Sequence, residues 1–267
     1  MNVRVAIAAA VALALIAGFI ERGDAPAGTP PDRDGEAGAE GGELLEALRS
    51  TIPPQDVDRA PPPEEVRGPS YAIARVQSGD RLELHSSPGG KVLKTVGDTT
   101  EFGSARTFSI AKVRGDWFGV LATELPNGDL AWIENDESRL DMLETRYFIV
   151  ADVSTRMLEL RYGRRVLERF PVTVGSPSSP TPLGRYSVTD GLVGPGLGPY
   201  YGCCVLALSG HQSHLPPDWI GGDRIAIHGT PEPVGGAGSA GCLRASNQDI
   251  VSLLARVPLG APVFIRA

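Results

Sequence analysis

From Tyr71 onward the chain is a succession of short alternating apolar runs, and turn residues separate almost all of them. Runs of roughly four to eight residues with this alternation are typical of half-buried β-strands. The 33 glycines and 23 prolines point to the same structure, because these residues form turns and end strands. The sequence therefore predicts a mainly β protein, and 267 residues are enough for about two domains.

Two β-rich regions are predicted, at 71–136 and 146–267, with the charged stretch 137–145 between them as a linker. The first region is predicted to be a small sheet or barrel. Its order of LHSSPGG, WFGVLA and LAWIE resembles bacterial SH3-like domains, which implies a cell-wall peptide as ligand. A packing or spacer domain without a ligand is an equally open interpretation.

The second region contains the clearest helix signal of the chain. Ser246 is a favourable N-cap, and Asp249 stands three residues later as its capping-box partner. An apolar face follows at helical spacing, made of Ile250, Leu253, Leu254 and Val257. A strand at 262–266 is predicted to follow the helix.

The N-terminal segment 1–27 has Arg4 before an apolar run that ends at Ile20. The run is short for a membrane-spanning helix, which needs roughly 17–25 residues, and suits a signal peptide. An uncleaved membrane anchor and a buried helix are the alternatives. The stretch 28–70 is rich in Pro, Gly and acidic residues and is predicted to be a disordered linker. With an export segment in front, the rest of the chain is expected outside the cytoplasm, in the cell envelope.

The chemistry of the chain is concentrated in 225–247, where a strand, a glycine-rich loop and the helix cap follow one another. Alternation directs the isoleucines of the strand to the core and places His228 on the other face, at the strand's end. Cys242 closes the glycine-rich loop. A thiol beside an imidazole is the minimum of a cysteine acyl-transfer site, and successive loop amides can stabilise an oxyanion.

The other two cysteines, Cys203 and Cys204, are adjacent and are poorly placed to bond with each other without strain. We therefore interpret them as buried small apolar side chains and expect at least one of the three thiols to stay reduced. A reduced thiol in an exported protein needs a reason, and catalysis by Cys242 is one.

Three short motifs, IHGT, SAGCLR and NQD, closely resemble the YkuD family of L,D-transpeptidase catalytic domains. The family signature is His-Gly-Thr, then Ser-His-Gly-Cys-[Ile/Val/Leu]-Arg, then Asn-x-Asp, and TPLGRY at 181–186 is similar to the family's T-P-x-G-x-[FY]. One departure is Ala240, which stands where many members have a second histidine. This leaves His228 alone as the predicted base.

The resemblance implies a β-sandwich catalytic domain that performs acyl transfer on peptidoglycan stem peptides and so contributes to wall cross-linking and cell shape. Cys242 would be the nucleophile and His228 the base, with the thioester resolved by an amine. The remaining site residues fall into two groups. The oxyanion and orientation group is Gly241 with the Cys242 amide, Ala240 and Gly229, and the substrate-binding group is Arg244, Ser239, Thr230 and Asn247. No cofactor is expected, and the protein is expected to be a monomer.

Several alternatives stay open. Water as acceptor would make the protein an L,D-carboxypeptidase, and a non-catalytic wall-binding protein would act through the SH3-like region. A metal site would need His211 and His214 to converge with a third ligand such as Asp218 or Asp223; a polar insert without metal is the preferred interpretation. Arg244 would either orient a substrate carboxylate or contact loop carbonyls. The net charge of −7 excludes a basic surface for nucleic acid.

Overall fold

The computed structural model describes residues 68–194, 199–217, 219 and 222–267. The predicted signal peptide or anchor at 1–27, nearly all of the predicted linker at 28–70, and Asp218 lie outside the described residues. Within the described ranges, no helix has the length and apolar character needed to cross a membrane.

The first domain is a seven-stranded sheet in the order β3-β2-β6-β5-β4-β1-β7. Its strands are β1 Tyr71–Val76, β2 Arg81–His85, β3 Val92–Gly97, β4 Thr107–Arg114, β5 Trp117–Val120, β6 Ala131–Glu134 and β7 Leu140–Thr145. Alternate residues of these strands point inward and form a separate apolar core. The turns between them contain glycines with positive φ, as at Gly79 and Gly128.

The interpretation of 137–145 as a linker is wrong, because β7 lies there. It pairs antiparallel with the whole of β1, from Tyr71↔Thr145 to Val76↔Leu140. The strand occupies the edge of the sheet, and only Leu140 and Thr145 are buried. An edge strand is held mainly by backbone hydrogen bonds, so its charged and exposed side chains conceal it in the sequence. The first domain therefore extends to Thr145.

The second domain is an eight-stranded sheet in the order β10-β9-β8-β17-β12-β13-β14-β16, with a small parallel pair, β11 and β15, beside it. Its strands are β8 Tyr147–Asp152, β9 Met157–Tyr162, β10 Arg165–Pro171, β11 Val174–Gly175, β12 Gly184–Val193, β13 Cys204–His211, β14 Arg224–Thr230, β15 Ala237–Ser239, β16 Leu243–Ser246 and β17 Pro262–Arg266. A 3₁₀ turn, Pro199–Tyr201, precedes β13, and the helix α1, Asn247–Leu254, follows β16.

One apolar core joins both halves of this sheet and the helix. Ile149, Leu158 and Val263 come from one half, and Leu206 and Ile227 come from the other. The helix begins where the sequence predicts, since Ser246 is the N-cap and its Oγ accepts from the Asp249 amide at 3.2 Å. The prediction of a mainly β chain with a C-terminal helix is confirmed.

Strand residues extend into two glycine-rich stretches, 191–202 and 235–241. β12 runs into the 191–202 stretch as far as Val193, where it pairs with Cys204 of β13. The 235–241 loop contains β15, which pairs in parallel with β11 through Gly175↔Ser239. In both places a neighbouring strand supplies the hydrogen bonds, so the low intrinsic strand propensity of glycine does not decide the structure.

The two domains are packed together along β12 and the adjoining strands. The Arg185 guanidinium lies near the Tyr71 and Phe264 rings, 5.8 Å and 5.6 Å from their centroids, and donates to the Ile110 carbonyl oxygen at 3.1 Å. Thr100 Oγ1 of the first domain donates to the buried Asp190 of β12. The sheet that carries the candidate site is therefore in direct contact with the first domain.

Candidate active site

His228 lies within β14, which continues to Thr230 instead of ending at the histidine as predicted. Its ring is fully buried. Nδ1 lies 2.8 Å from the Gly229 carbonyl oxygen, which can only accept, so Nδ1 carries the proton. Nε2 therefore holds the lone pair, and it has no hydrogen-bond partner among the described residues. This is the tautomer that a general base requires at Nε2.

The surroundings of His228 are apolar and aromatic. The ring centroids of Tyr200 and Tyr201 lie 5.5 Å and 5.0 Å from its own. Burial lowers the pKa of His228 to about 4, and the hydrogen bond to the Gly229 carbonyl opposes that effect only in part. The imidazole is therefore neutral at physiological pH and able to accept a proton.

Cys242 lies on the same face of the sheet as His228. β14 and β16 are parallel, with Ile227↔Leu243 and His228↔Arg244 in register. Because side chains alternate along strands, Ile227 and Leu243 enter the main core while the flanking residues point to the opposite face. Cys242 packs there against the small cluster that contains Ala226. The pairing of β14 with β16 thus places the predicted nucleophile and base on the same face of the sheet.

The loop that ends at Cys242 is held from within by Ser239. Its Oγ donates to the Cys242 carbonyl oxygen at 2.6 Å and accepts from the Gly241 amide at 3.1 Å. Gly241 has φ +118°, a conformation that side chains rarely adopt. The Gly241 amide, predicted to face an oxyanion, is thus used inside the loop in this structure.

Three further predicted residues, Gly229, Thr230 and Asn247, make contacts within the protein. Asn247 Oδ1 accepts from the Cys203 amide at 3.1 Å, and a Cβ at Gly229 would overlap this oxygen. Thr230 Oγ1 accepts from the Glu232 amide at 3.1 Å. Together they connect the end of β14 to the start of α1 and to the turn before β13.

Arg244 lies beside His228 in the parallel register. Its guanidinium carbon is 4.4 Å from the Tyr200 ring centroid, within the range of a cation–π interaction. Nη1 is 3.7 Å from Glu232 Oε2, and the side chain is only 11% exposed. The charge is therefore held next to the aromatic pair that covers His228.

The interpretation of Cys203 and Cys204 as separate buried thiols is wrong, because the two form a disulfide. β13 begins at Cys204, and Gly202 turns the chain just before with φ +59°. Cys203 therefore precedes the strand, and the alternation that would direct neighbouring side chains to opposite faces does not apply to it. Cys242 is the cysteine outside the disulfide.

The histidines of the insert make pairwise contacts. His211 Nδ1 lies 2.9 Å from Asp223 Oδ1 and Nε2 lies 2.8 Å from the Thr123 carbonyl oxygen, while His214 Nδ1 lies 2.9 Å from Ser213 Oγ. The described part of the chain contains no group of three or more His, Cys, Asp or Glu side chains that could hold a metal ion.

Cys242 borders a pocket of about 20 Å³, which is room for about one water molecule. The residues around it that sequence analysis did not assign to the site include Tyr200, Tyr201, Gln212 and Trp219. They lie in stretches without periodicity or motif, so no local signal marks them.

Comparison with known proteins gives matches over the second domain. The family model described as the L,D-transpeptidase catalytic domain, YkuD, matches residues 146–265. A putative L,D-transpeptidase YkuD of Bacillus subtilis is 33% identical over 121 residues, which are 45% of this chain and 65% of that protein. The putative L,D-transpeptidase YqjB of Bacillus subtilis is 31% identical over 127 residues, 44% of this chain and 70% of that protein. The match thus spans somewhat less than two thirds of YkuD.

Among solved structures, an L,D-transpeptidase from Mycobacterium smegmatis is similar with a TM-score of 0.35 and 19% identity, covering 52% of this chain and 73% of that one. The catalytic domain of the Enterococcus faecium L,D-transpeptidase is similar with a TM-score of 0.32 and 22% identity, covering 45% of this chain and 95% of that one.

Proposed function

The chain belongs to the L,D-transpeptidase catalytic-domain (YkuD) family, and we propose on that basis that it is a peptidoglycan L,D-transpeptidase acting in the cell envelope. One observation carries the proposal. A buried, neutral His228 with the lone pair on Nε2 lies on the same face of the sheet as Cys242. This arrangement suits a thiol nucleophile served by a general base.

The first half-reaction would form a thioester. Cys242 Sγ attacks the carbonyl of the third residue of a stem tetrapeptide, and its proton passes to His228 Nε2. The peptide bond to the terminal D-Ala then breaks, and the leaving nitrogen takes that proton. The oxyanion formed in between would be met by loop amides. Since Ser239 Oγ accepts from the Gly241 amide, that amide would have to exchange partners to take part.

The second half-reaction would transfer the acyl group. An amine of another stem peptide attacks the thioester and gives a proton to His228. The carbon–sulfur bond then breaks, and the proton returns from His228 to the Cys242 sulfur, which regenerates the thiol and the neutral imidazole. Arg244 is proposed to keep the aromatic cover of His228 in place through its contact with Tyr200. Ser239, Thr230 and Asn247 are proposed to support the substrate site by fixing the loop and strand ends described above.

The test is turnover of disaccharide-tetrapeptides followed by mass spectrometry. We expect release of D-Ala and a cross-linked dimer with the wild type, and neither with Cys242→Ala. His228→Gln should lower the rate by about a hundredfold or more, the usual contribution of a general base. His214→Gln is the matched control, because His214 is exposed and its ring is hydrogen-bonded to the adjacent Ser213.

The outcomes separate the alternatives. Release of D-Ala without a dimer would identify a carboxypeptidase that uses water. No product from the wild type would refute both enzymatic functions, and retained turnover by Cys242→Ala would refute the thioester mechanism.

A further inference from the structure

Gln212, the residue after β13, is a buried amide whose polar groups are all engaged. Its side-chain Nε2 donates to the carbonyl oxygens of Ala240 at 2.9 Å and Pro180 at 3.1 Å. Its Oε1 accepts from the His214 amide at 2.9 Å. Only 5% of the residue is exposed. Both N–H groups and the carbonyl are therefore satisfied, which gives the side chain one fixed orientation.

The Gln212 amide is in direct contact with the loop that carries Cys242. It holds the Ala240 carbonyl, and a Cβ on Gly241 would overlap Gln212 Nε2. Gly241 is therefore required both by its φ of +118° and by the closeness of this amide. Ser239 Oγ holds the opposite side of the same loop. The peptide plane before Cys242 is thus fixed from two sides.

The segment that carries Gln212 is itself anchored. Its backbone amide donates to the Asp223 carbonyl oxygen at 2.6 Å. The preceding residue, His211, is paired with the Asn127 side-chain amide of the first domain, which accepts from its N–H at 2.8 Å and donates to its carbonyl oxygen at 2.6 Å. Gln212 therefore projects from a point that both domains hold in place.

We propose that Gln212 is a positioning residue that keeps Cys242 in register with His228. Loss of its two donated hydrogen bonds frees the Ala240 carbonyl and lets the loop rotate, which moves the thiol away from the imidazole. The nucleophile role of Cys242 is that of the proposed function, but the positioning effect is measurable without any peptide substrate.

The experiment is a double-mutant cycle on alkylation of the Cys242 thiol by iodoacetamide under non-reducing conditions, where Cys203 and Cys204 are protected by their disulfide. Gln212→Met removes the two N–H donors of the side-chain amide and keeps a similar volume. Gln212→Glu replaces the amide nitrogen with a carboxylate oxygen and keeps nearly the same shape. Each is combined with His228→Gln. The matched control is Gln248→Met, at an exposed position of α1.

In the wild-type background we expect His228→Gln to slow alkylation. In the Gln212 variants we expect the factor by which His228→Gln slows alkylation to be smaller by about tenfold or more. A misplacement of reacting groups by about 1 Å lowers a rate on the order of a hundredfold. With peptide substrate, kcat should fall while KM changes little. The Gln248→Met background should keep the full effect of His228→Gln.

The proposal would be overturned if His228→Gln slowed alkylation equally in all backgrounds. It would also be overturned if His228→Gln did not slow alkylation in the wild-type background. If Gln212→Met fails to fold, Gln212→Glu gives the same comparison, and amide hydrogen exchange at 239–242 should be faster in the folded variant. Failure of the wild type to turn over peptide would count against the proposed function alone, because the alkylation cycle does not depend on turnover.

Discussion

Protonation of His228 should destabilise the fold at acid pH, by an amount that follows from its burial. The ordinary pKa of 6.5 falls to about 4 in the folded protein because the charged imidazolium would be desolvated. The unfolded chain therefore binds more protons between these two values, and the free energy of unfolding decreases as the pH falls through that window. At about 1.4 kcal/mol per pH unit, the full effect is about 3 kcal/mol below pH 4.

Urea denaturation of the wild type and of His228→Gln, from about pH 7.5 to about pH 4.5, measures this effect. Other groups titrate alike in both proteins, so they cancel in the difference between the two curves. That difference should change by about 2 to 3 kcal/mol over this range, with the wild type losing stability relative to the variant at low pH. Gln248→Met, at an exposed position of α1 that does not titrate, is the control and should parallel the wild type.

A flat difference curve would refute the inference that the buried ring is neutral. A difference of opposite sign would show that His228 has a raised pKa, as an imidazolium paired with a Cys242 thiolate would. The measurement therefore also decides whether the proton moves during attack, as proposed, or before substrate arrives.

Three further predictions concern the supports of the site. Ser246→Ala should lower the free energy of unfolding by about 1 kcal/mol in urea, because the helix loses the cap that Asp249 engages. Gly229→Ala should lower both stability and turnover, since the new methyl overlaps the amide oxygen of the first helical residue; turnover at the wild-type level would contradict this. Asn127→Ala should slow turnover, because it releases the backbone of His211 next to Gln212. Unchanged kinetics would show that the first domain does not support the site.

The local patterns of the chain were sufficient for much of the second domain. The alternation at Ile225 and Ile227 gave the correct core face of β14, and the spacing of Ser246 and Asp249 gave the correct start of α1. Both depend on contacts between residues that are near in sequence. The resemblance to the family is confirmed by the match over 146–265, whereas the roles of the individual residues remain predictions.

Two features that the local sequence pattern does not predict were decided by the tertiary structure. β7 has apolar residues but no regular alternation that marks it as a strand, and it forms because β1 offers it an edge. The Cys203–Cys204 disulfide depends on the turn at Gly202, where local alternation fails.

The sequence alone therefore determined a β-rich chain with a cysteine and a histidine in a family-specific motif. Only the tertiary structure determined the burial of His228 and the low pKa that follows from it. It also determined the hydrogen bond from Gln212 Nε2 to the Ala240 carbonyl oxygen. Burial and hydrogen bonding join residues far apart in the chain, so no short window of sequence contains both partners.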